Sequence, residues 1–157
     1  MRLVFFSAGV WFVLDQLSKW AVVHWMNLAE RGVIEVLPPY LVFVMGWNTG
    51  INFGIGAGGP ELMRWGLVLL TIGICCWLLI WSKTGLTKPL AHISAGAVIG
   101  GALGNALDRV IYGAVADFLN MSCCGINNPF AFNVADIGIV GGAVGLLVFA
   151  DQTKIET

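Results

Sequence analysis

Apolar positions along this chain gather into four long runs, separated by segments where glycine, proline and polar residues interrupt them. The runs are Leu3–Val23, Leu62–Trp81, Leu90–Ile111 and Val134–Ala150. A helix that crosses a bilayer needs roughly 20 apolar residues, so each run is read as a spanning helix, the last being the shortest. The first run is too long for a signal peptide, has no small-residue cleavage site, and holds Asp15 and Lys19. The segment 24–61 is too long for a simple connection. Its stretch VIEVLPPYLVFVMGWN places β-branched and aromatic residues on both sides of Pro38–Pro39, which predicts a small strand pair lying on the membrane surface. GIGAGGP then breaks the chain, and Pro60 and Glu61 suit a helical first turn. The expected fold is an all-α membrane protein: a four-transmembrane-helix bundle with a small β cradle on its outer face. It forms one domain over residues 1–157, with outer segments 24–61 and 112–133.

Composition strengthens this picture. The 157 residues are 58% hydrophobic and 11% charged, with mean hydropathy +0.85, more apolar surface than a soluble domain of this size can hide. A net charge of −1 offers no basic patch, so nucleic acid is not an expected partner. Arg2, Lys83, Lys88 and Lys154 fall on one side of a four-span chain, against Arg31 and Arg64 on the other. The excess predicts that both termini are cytoplasmic. Trp20, Trp25, Trp47 and Trp65 then mark the outer boundary, Trp77 and Trp81 the inner one. Trp11 is mid-span and is expected to pack. Gly96, Gly100 and Gly104 recur at four-residue intervals, as do Gly138 and Gly142, and Gly141 and Gly145, which lets helices approach closely. Cys75–Cys76 reads as small apolar filler. Cys123–Cys124 lies in an outer loop with no metal-binding spacing.

The polar residues inside these runs are expensive in lipid and point to function. With both termini inside, Asp15, Lys19, Asn48, Asn105, Asp108, Arg109, Asp117, Asn133 and Asp136 can all meet at the outer interface. Asp15 and Lys19 are four apart and can pair on one helix face; Asn105 reaches Asp108 and Arg109 the same way, and Asn133 is three from Asp136. A purely structural staple explains Asp15, Lys19 and Asp108. It explains less well why Asp117 and Asp136 outnumber the available cations. No HExxH or GxSxG is present, His24 and His92 lie near opposite faces, and Ser18 and Lys19, being adjacent, do not face each other. What remains is carboxylate chemistry. Two close carboxylates share a proton, and Asp117 with Asp136 is the natural pair for activating water. Neither a metal nor a cofactor is expected. A small polytopic transporter or proton channel is the alternative, although the polar groups form no path across the bilayer. A non-enzymatic scaffold, with the polar groups as helix glue, is a third reading. The Gly-x-Gly-Asp signature of other intramembrane aspartic proteases is absent, since Ala114–Val115–Ala116 precedes Asp117.

Five motifs in order carry a resemblance: DQLSK at Asp15–Lys19, NTGINF at Asn48–Phe53, GGALGNALDR at Gly100–Arg109, VADF at Val115–Phe118 and FNVAD at Phe132–Asp136. With them the chain resembles the lipoprotein signal peptidase (signal peptidase II) family through most of its length. The resemblance implies a bacterial inner-membrane aspartic endopeptidase that removes signal peptides from prolipoproteins, cutting before a diacylglyceryl-modified cysteine, with its active site on the periplasmic face. It places Asp117 and Asp136 at the catalytic pair, and Asn48, Asn105, Arg109 and Asn133 at polar positions lining the site. Gly50, Asp15, Lys19 and Asp108 fall on other motif positions, taken as mainly architectural. The implied partners are prolipoproteins with a lipid-modified cysteine and membrane lipids, for an enzyme expected to act as a monomer. One departure is Asn52, where the second motif usually has a small residue before the Phe.

Overall fold

The computed structural model describes residues 1–50 and 59–150. Asn52, most of GIGAGGP, and the C-terminal tail with Lys154 lie outside the described residues. Helix α1 (Arg2–Lys19) continues as one π-helical turn, Trp20–Trp25, followed by the short α2 (Leu28–Arg31). Strands β1 (Val33–Leu37) and β2 (Leu41–Asn48) form a hairpin around a cis Pro38–Pro39 bond. Helices α3 (Gly59–Thr84) and α4 (Pro89–Tyr112) follow, then β3 (Val115–Asn120) and α5 (Val134–Phe149). The four apolar runs are thus four helices, each within a few residues of its expected limits. Two of them, over Glu61–Thr84 and Pro89–Tyr112, are long and apolar enough to cross a membrane by themselves.

Helix α4 is the centre of the bundle: α1, α3 and α5 all pack on it. Its span window is 67% buried, against 22% for α3, which is a peripheral helix. Small residues make the central position possible. A Cβ at Gly96 or Gly100 would overlap the carbonyl oxygens of Val4 and Ala8 on α1, and one at Gly101 that of Ala135 on α5. Trp11 packs against Gly138, at the α1–α5 contact.

The all-α expectation needs one correction. The strand pair exists, and β3 joins it to make an antiparallel sheet of order β1–β2–β3. VADF, expected only as part of the outer segment 112–133, is therefore strand: the six-residue β3 is too short to show a period on its own, and it is ordered by pairing Gly46 with Asp117 and Asn48 with Val115. One face of the sheet buries Phe118 with Val22 and Leu28, and Phe43 meets Phe118 edge to face. Those contacts fix the sheet to the end of α1. Gly113 makes the turn from α4 into β3 at φ +79°, a backbone state that favours glycine.

Candidate active site

Helices α1, α4 and α5 are joined at one end by a buried ionic network. Lys19 Nζ lies 2.7 Å from Asp15 Oδ2, one helical turn away, and 2.8 Å from Asp108 Oδ2 on α4. Its third acceptor is Asn105 Oδ1, at 3.1 Å. The other Asp15 oxygen accepts the Ala135 N–H in the first turn of α5, at 2.9 Å. Asp108 Oδ2 also accepts the Ala116 N–H of β3, at 3.2 Å. Three helices and the strand bearing Asp117 are thereby held in register. Buried charges persist only when paired and hydrogen-bonded in this way.

The two aspartates sit on either side of an asparagine bridge. Asn133 caps α5: its side chain accepts from the Asp136 N–H at 3.0 Å, and Asp136 Oδ2 accepts the Asn133 N–H at 3.2 Å. The same Asn133 amide donates to Asp117 Oδ1 at 2.6 Å and to Asn105 Oδ1 at 3.1 Å. Asn105 donates to Asp136 Oδ1 at 3.0 Å. Asn48 donates to Asp117 Oδ2 at 3.0 Å, while its own oxygen accepts the Gly50 N–H at 2.9 Å. Gly50 adopts φ +103°, and a side chain there would also strike Leu67 of α3.

Electrostatics separates Asp117 from an ordinary carboxylate. Burial, with a further contribution from the Asp136 charge, pushes its pKa up from 3.8 to about 6, against hydrogen bonds from Asn48 and Asn133 that pull it down. Arg109 is close enough to interact with the charges of Asp117, Asp108 and Asp136, yet among the described residues its guanidinium hydrogen bonds only the Asn105 carbonyl, at 3.3 Å. Its buried Nε has no partner among the described residues. A buried donor without an acceptor is costly, and here it belongs to a guanidinium that interacts with three carboxylates.

The structure gathers the ten sequence-selected residues into one region, divided between an ionic staple (Asp15, Lys19, Asp108) and a polar cluster (Asn48, Gly50, Asn105, Arg109, Asp117, Asn133, Asp136). Two local details differ from the spacing argument. The Asn105 side chain turns away from Asp108 and Arg109, toward α1 and α5. Asp117 and Asp136 are joined through asparagine amides rather than by a hydrogen bond to each other. Sequence reasoning also missed two residues. Gln16 donates to Asp15, Asp108 and the Gly104 carbonyl, although adjacency to Asp15 gave no sign that the two would meet. Arg64, counted only as an outer positive charge, binds the Arg109 and Val110 carbonyls at 2.7 Å each and ties α3 to the end of α4. The unsatisfied carbonyls at the end of α4, one turn beyond Asn105, were its only sequence signal. Among the described residues no His, Cys, Asp and Glu cluster could hold a metal ion.

Comparison with known proteins identifies the family. The family described as Signal peptidase (SPase) II matches residues 7–151, nearly the whole chain. A lipoprotein signal peptidase of Rhodopseudomonas palustris is 42% identical, over 94% of this chain and 90% of its own. One from Methylobacterium sp. strain 4-46 is 39% identical, over 90% and 84%. A bacterial membrane enzyme solved by the in meso method superposes with TM-score 0.77 at 25% identity, covering 94% of this chain and 87% of its own. A second such structure gives 0.80 at 24% identity. With the match running from the middle of α1 past the end of α5, through every residue of the polar cluster, the chain belongs to the signal peptidase II family.

Proposed function

We propose that this integral membrane peptidase cleaves signal peptides from diacylglyceryl-modified prolipoproteins by aspartic chemistry. Family membership supports the substrate class. The observation that carries the mechanism is the bridge Asp117–Asn133–Asn105–Asp136, in which burial raises the Asp117 pKa to about 6. In this reading Asp117 holds the proton and Asp136 accepts one from water. The resulting hydroxide equivalent attacks the scissile carbonyl, and Asp117 donates to its oxygen. Collapse of the tetrahedral intermediate breaks the C–N bond, with a proton returned to the leaving amine. The Arg109 Nε, without a partner among the described residues, supplies a donor for a substrate carbonyl. Asn48 and Gly50 shape the wall beside Asp117.

The bundle is proposed to be one peptidase domain of four spans in the bacterial inner membrane, acting as a monomer, with both termini cytoplasmic and the sheet on the periplasmic face. The acyl chains of a lipid-modified cysteine lie in the outer leaflet, so the adjoining peptide bond is held at the level of the aspartates. Positioning by the membrane lowers the barrier without a deep peptide cleft.

The test is a gel-mobility assay with purified protein and lipid-modified precursor. Asp117→Asn and Asp136→Asn are each expected to lose at least a hundredfold in rate while remaining folded. Normal cleavage by either variant excludes the pair. An unmodified precursor is expected to be a poor substrate, and equal cleavage of it removes the lipid-positioning argument.

A further inference from the structure

The end of α4 is held from outside the helix. An α-helix leaves its last four carbonyls without partners of its own. Here two of them are taken by a side chain of α3. Arg64 Nε donates to the Arg109 carbonyl and Nη2 to the Val110 carbonyl, each at 2.7 Å. The Gly113 N–H shares the Arg109 oxygen at 3.0 Å, as two lone pairs allow. The Arg64 guanidinium is aimed by its own helix. Nη1 lies 3.4 Å from both Glu61 oxygens, and the group stands 5.0 Å from the centre of the Trp65 ring. A planar guanidinium presents its donors as a rigid fork, so two bonds to successive carbonyls fix direction as well as distance.

The residue held by this fork is the one whose side chain faces the aspartates. The Arg109 guanidinium has one hydrogen bond among the described residues, to the Asn105 carbonyl at 3.3 Å, and its buried Nε has none. Its placement therefore depends on where the Arg109 backbone sits. The aspartates have separate anchors. Ala116 N–H binds Asp108, Asp117 is registered opposite Gly46, and Asn48 and Asn133 bind the Asp117 carboxylate. Asp136 is held by the α5 cap and by Asn105. Loss of Arg64 would loosen Arg109 and leave the acids in place.

The same turn of α3 meets the wall beside Asp117. A Cβ at Gly50 would lie 2.8 Å from Leu67 Cδ1 and 3.6 Å from Met63 Cγ, and the Gly50 N–H holds the Asn48 oxygen. One stretch of α3, residues 63–67, thus touches both that wall and the Arg109 backbone, and sets how far apart the two stand.

We propose that Arg64 is a positioning residue for the peptidase reaction. It acts through Arg109, by holding the last turn of α4 so that the Arg109 guanidinium reaches the carbonyl under attack. The inference rests on the aspartic reading above and adds a residue of α3 that lies outside all five motifs. A donor to the developing oxyanion works only at the right distance, and a misplacement of about 1 Å costs on the order of a hundredfold.

The experiment measures steady-state cleavage of the lipid-modified precursor by the full chain in mixed micelles, with folding followed by thermal unfolding. Arg64→Gln is expected to lower kcat about ten- to a hundredfold with KM within about threefold, the pattern of an interaction made in the transition state. Arg109→Gln should lower kcat at least as far. The double variant should be no slower than Arg109→Gln alone, within about threefold, because a donor already lost cannot be misplaced. Arg64→Lys keeps a cation at the helix end and can bond one carbonyl, so its kcat should lie between Arg64→Gln and wild type. Arg31→Gln, which removes an exposed cation elsewhere on the outer segment, should leave kcat unchanged. If Arg64→Gln fails to fold, Arg64→Lys carries the same comparison with Arg109→Gln. An unchanged kcat at position 64, a higher KM without a lower kcat, or losses that multiply in the double variant overturns the proposal; multiplied losses would leave Arg64 a role in stability alone. Asp117→Asn, measured alongside, tests the aspartic reading by itself. Full activity there removes that reading, whereas its loss beside an unaffected Arg64→Gln removes only the role of Arg64.

Discussion

Asp117 combines deep burial with a neighbouring negative charge, and its folded-state pKa of about 6 lies above the ordinary 3.8. The folded protein therefore binds this proton more tightly than the unfolded chain. The corresponding stabilisation is fully present below pH 3.8 and is lost as pH rises through about 6. At roughly 1.4 kcal/mol per pH unit, this window corresponds to a loss of about 3 kcal/mol. Asp117→Asn removes the titration. Its stability in detergent, followed by thermal unfolding between pH 4 and 7, is expected to show a shallower pH slope than wild type; parallel curves would refute the raised pKa. Lys19 shows the opposite dependence on partners. Lys19→Met leaves Asp15 and Asp108 buried without their shared cation, a change expected to cost about 3–5 kcal/mol in the same unfolding measurement at pH 7.

At the scale of elements, α4 occupies the centre because its small residues let neighbouring backbones come close. A Cβ at Gly100 would overlap the Ala8 carbonyl on α1, whereas one at Gly141 on α5 meets nothing within 4 Å. Gly100→Ala is expected to destabilise the protein by about 1–3 kcal/mol through overpacking. Gly141→Ala is expected to be neutral or to stabilise by about 0.5–1 kcal/mol through helix propensity. Thermal unfolding of the two variants side by side separates packing from propensity, and equal shifts would contradict the close α1–α4 approach. The beginning of α5 has a different vulnerability. Asn133→Ala deletes both the helix cap and the amide reaching Asp117 and Asn105. A cap alone is worth about 1 kcal/mol, and in this position peptidase activity should fall further than that loss of stability explains. Asn133→Asp keeps the cap oxygen without the amide and distinguishes the two effects.

For the whole molecule, the proposed orientation is accessible to chemistry because Cys123 and Cys124 are exposed, free and located on the segment between β3 and α5. A membrane-impermeant thiol reagent is expected to label them in cells whose inner membrane is intact. In a variant without these cysteines, Lys83→Cys at the opposite end of the bundle should react only after that membrane is opened. Reversal of the two patterns would invert the topology and put the aspartates on the cytoplasmic side.

The helices were legible in the sequence because burial in lipid demands long uninterrupted apolar runs, and a run long enough to span has few other readings. Leu90–Ile111 lies one residue inside each end of α4. Pairing of Asp15 with Lys19 was equally legible, because a four-residue step on a helix fixes which side chains face each other. The strand VADF was not, since its conformation comes from Gly46 and Asn48, some seventy residues earlier in the chain. Neither was the role of Gln16, whose amide nitrogen meets Asp108 and the Gly104 carbonyl only because α4 brings them there. What the sequence determined by itself was therefore everything set by local period and by the expense of charge in oil: the helices, their small-residue faces, and the list of polar residues that needed a reason. Tertiary structure alone decided how those residues were divided, placing Lys19 between two acids and two asparagines between two others. Partners separated by sixteen to a hundred and twenty positions leave no periodic trace, and only packing brings them within hydrogen-bonding distance.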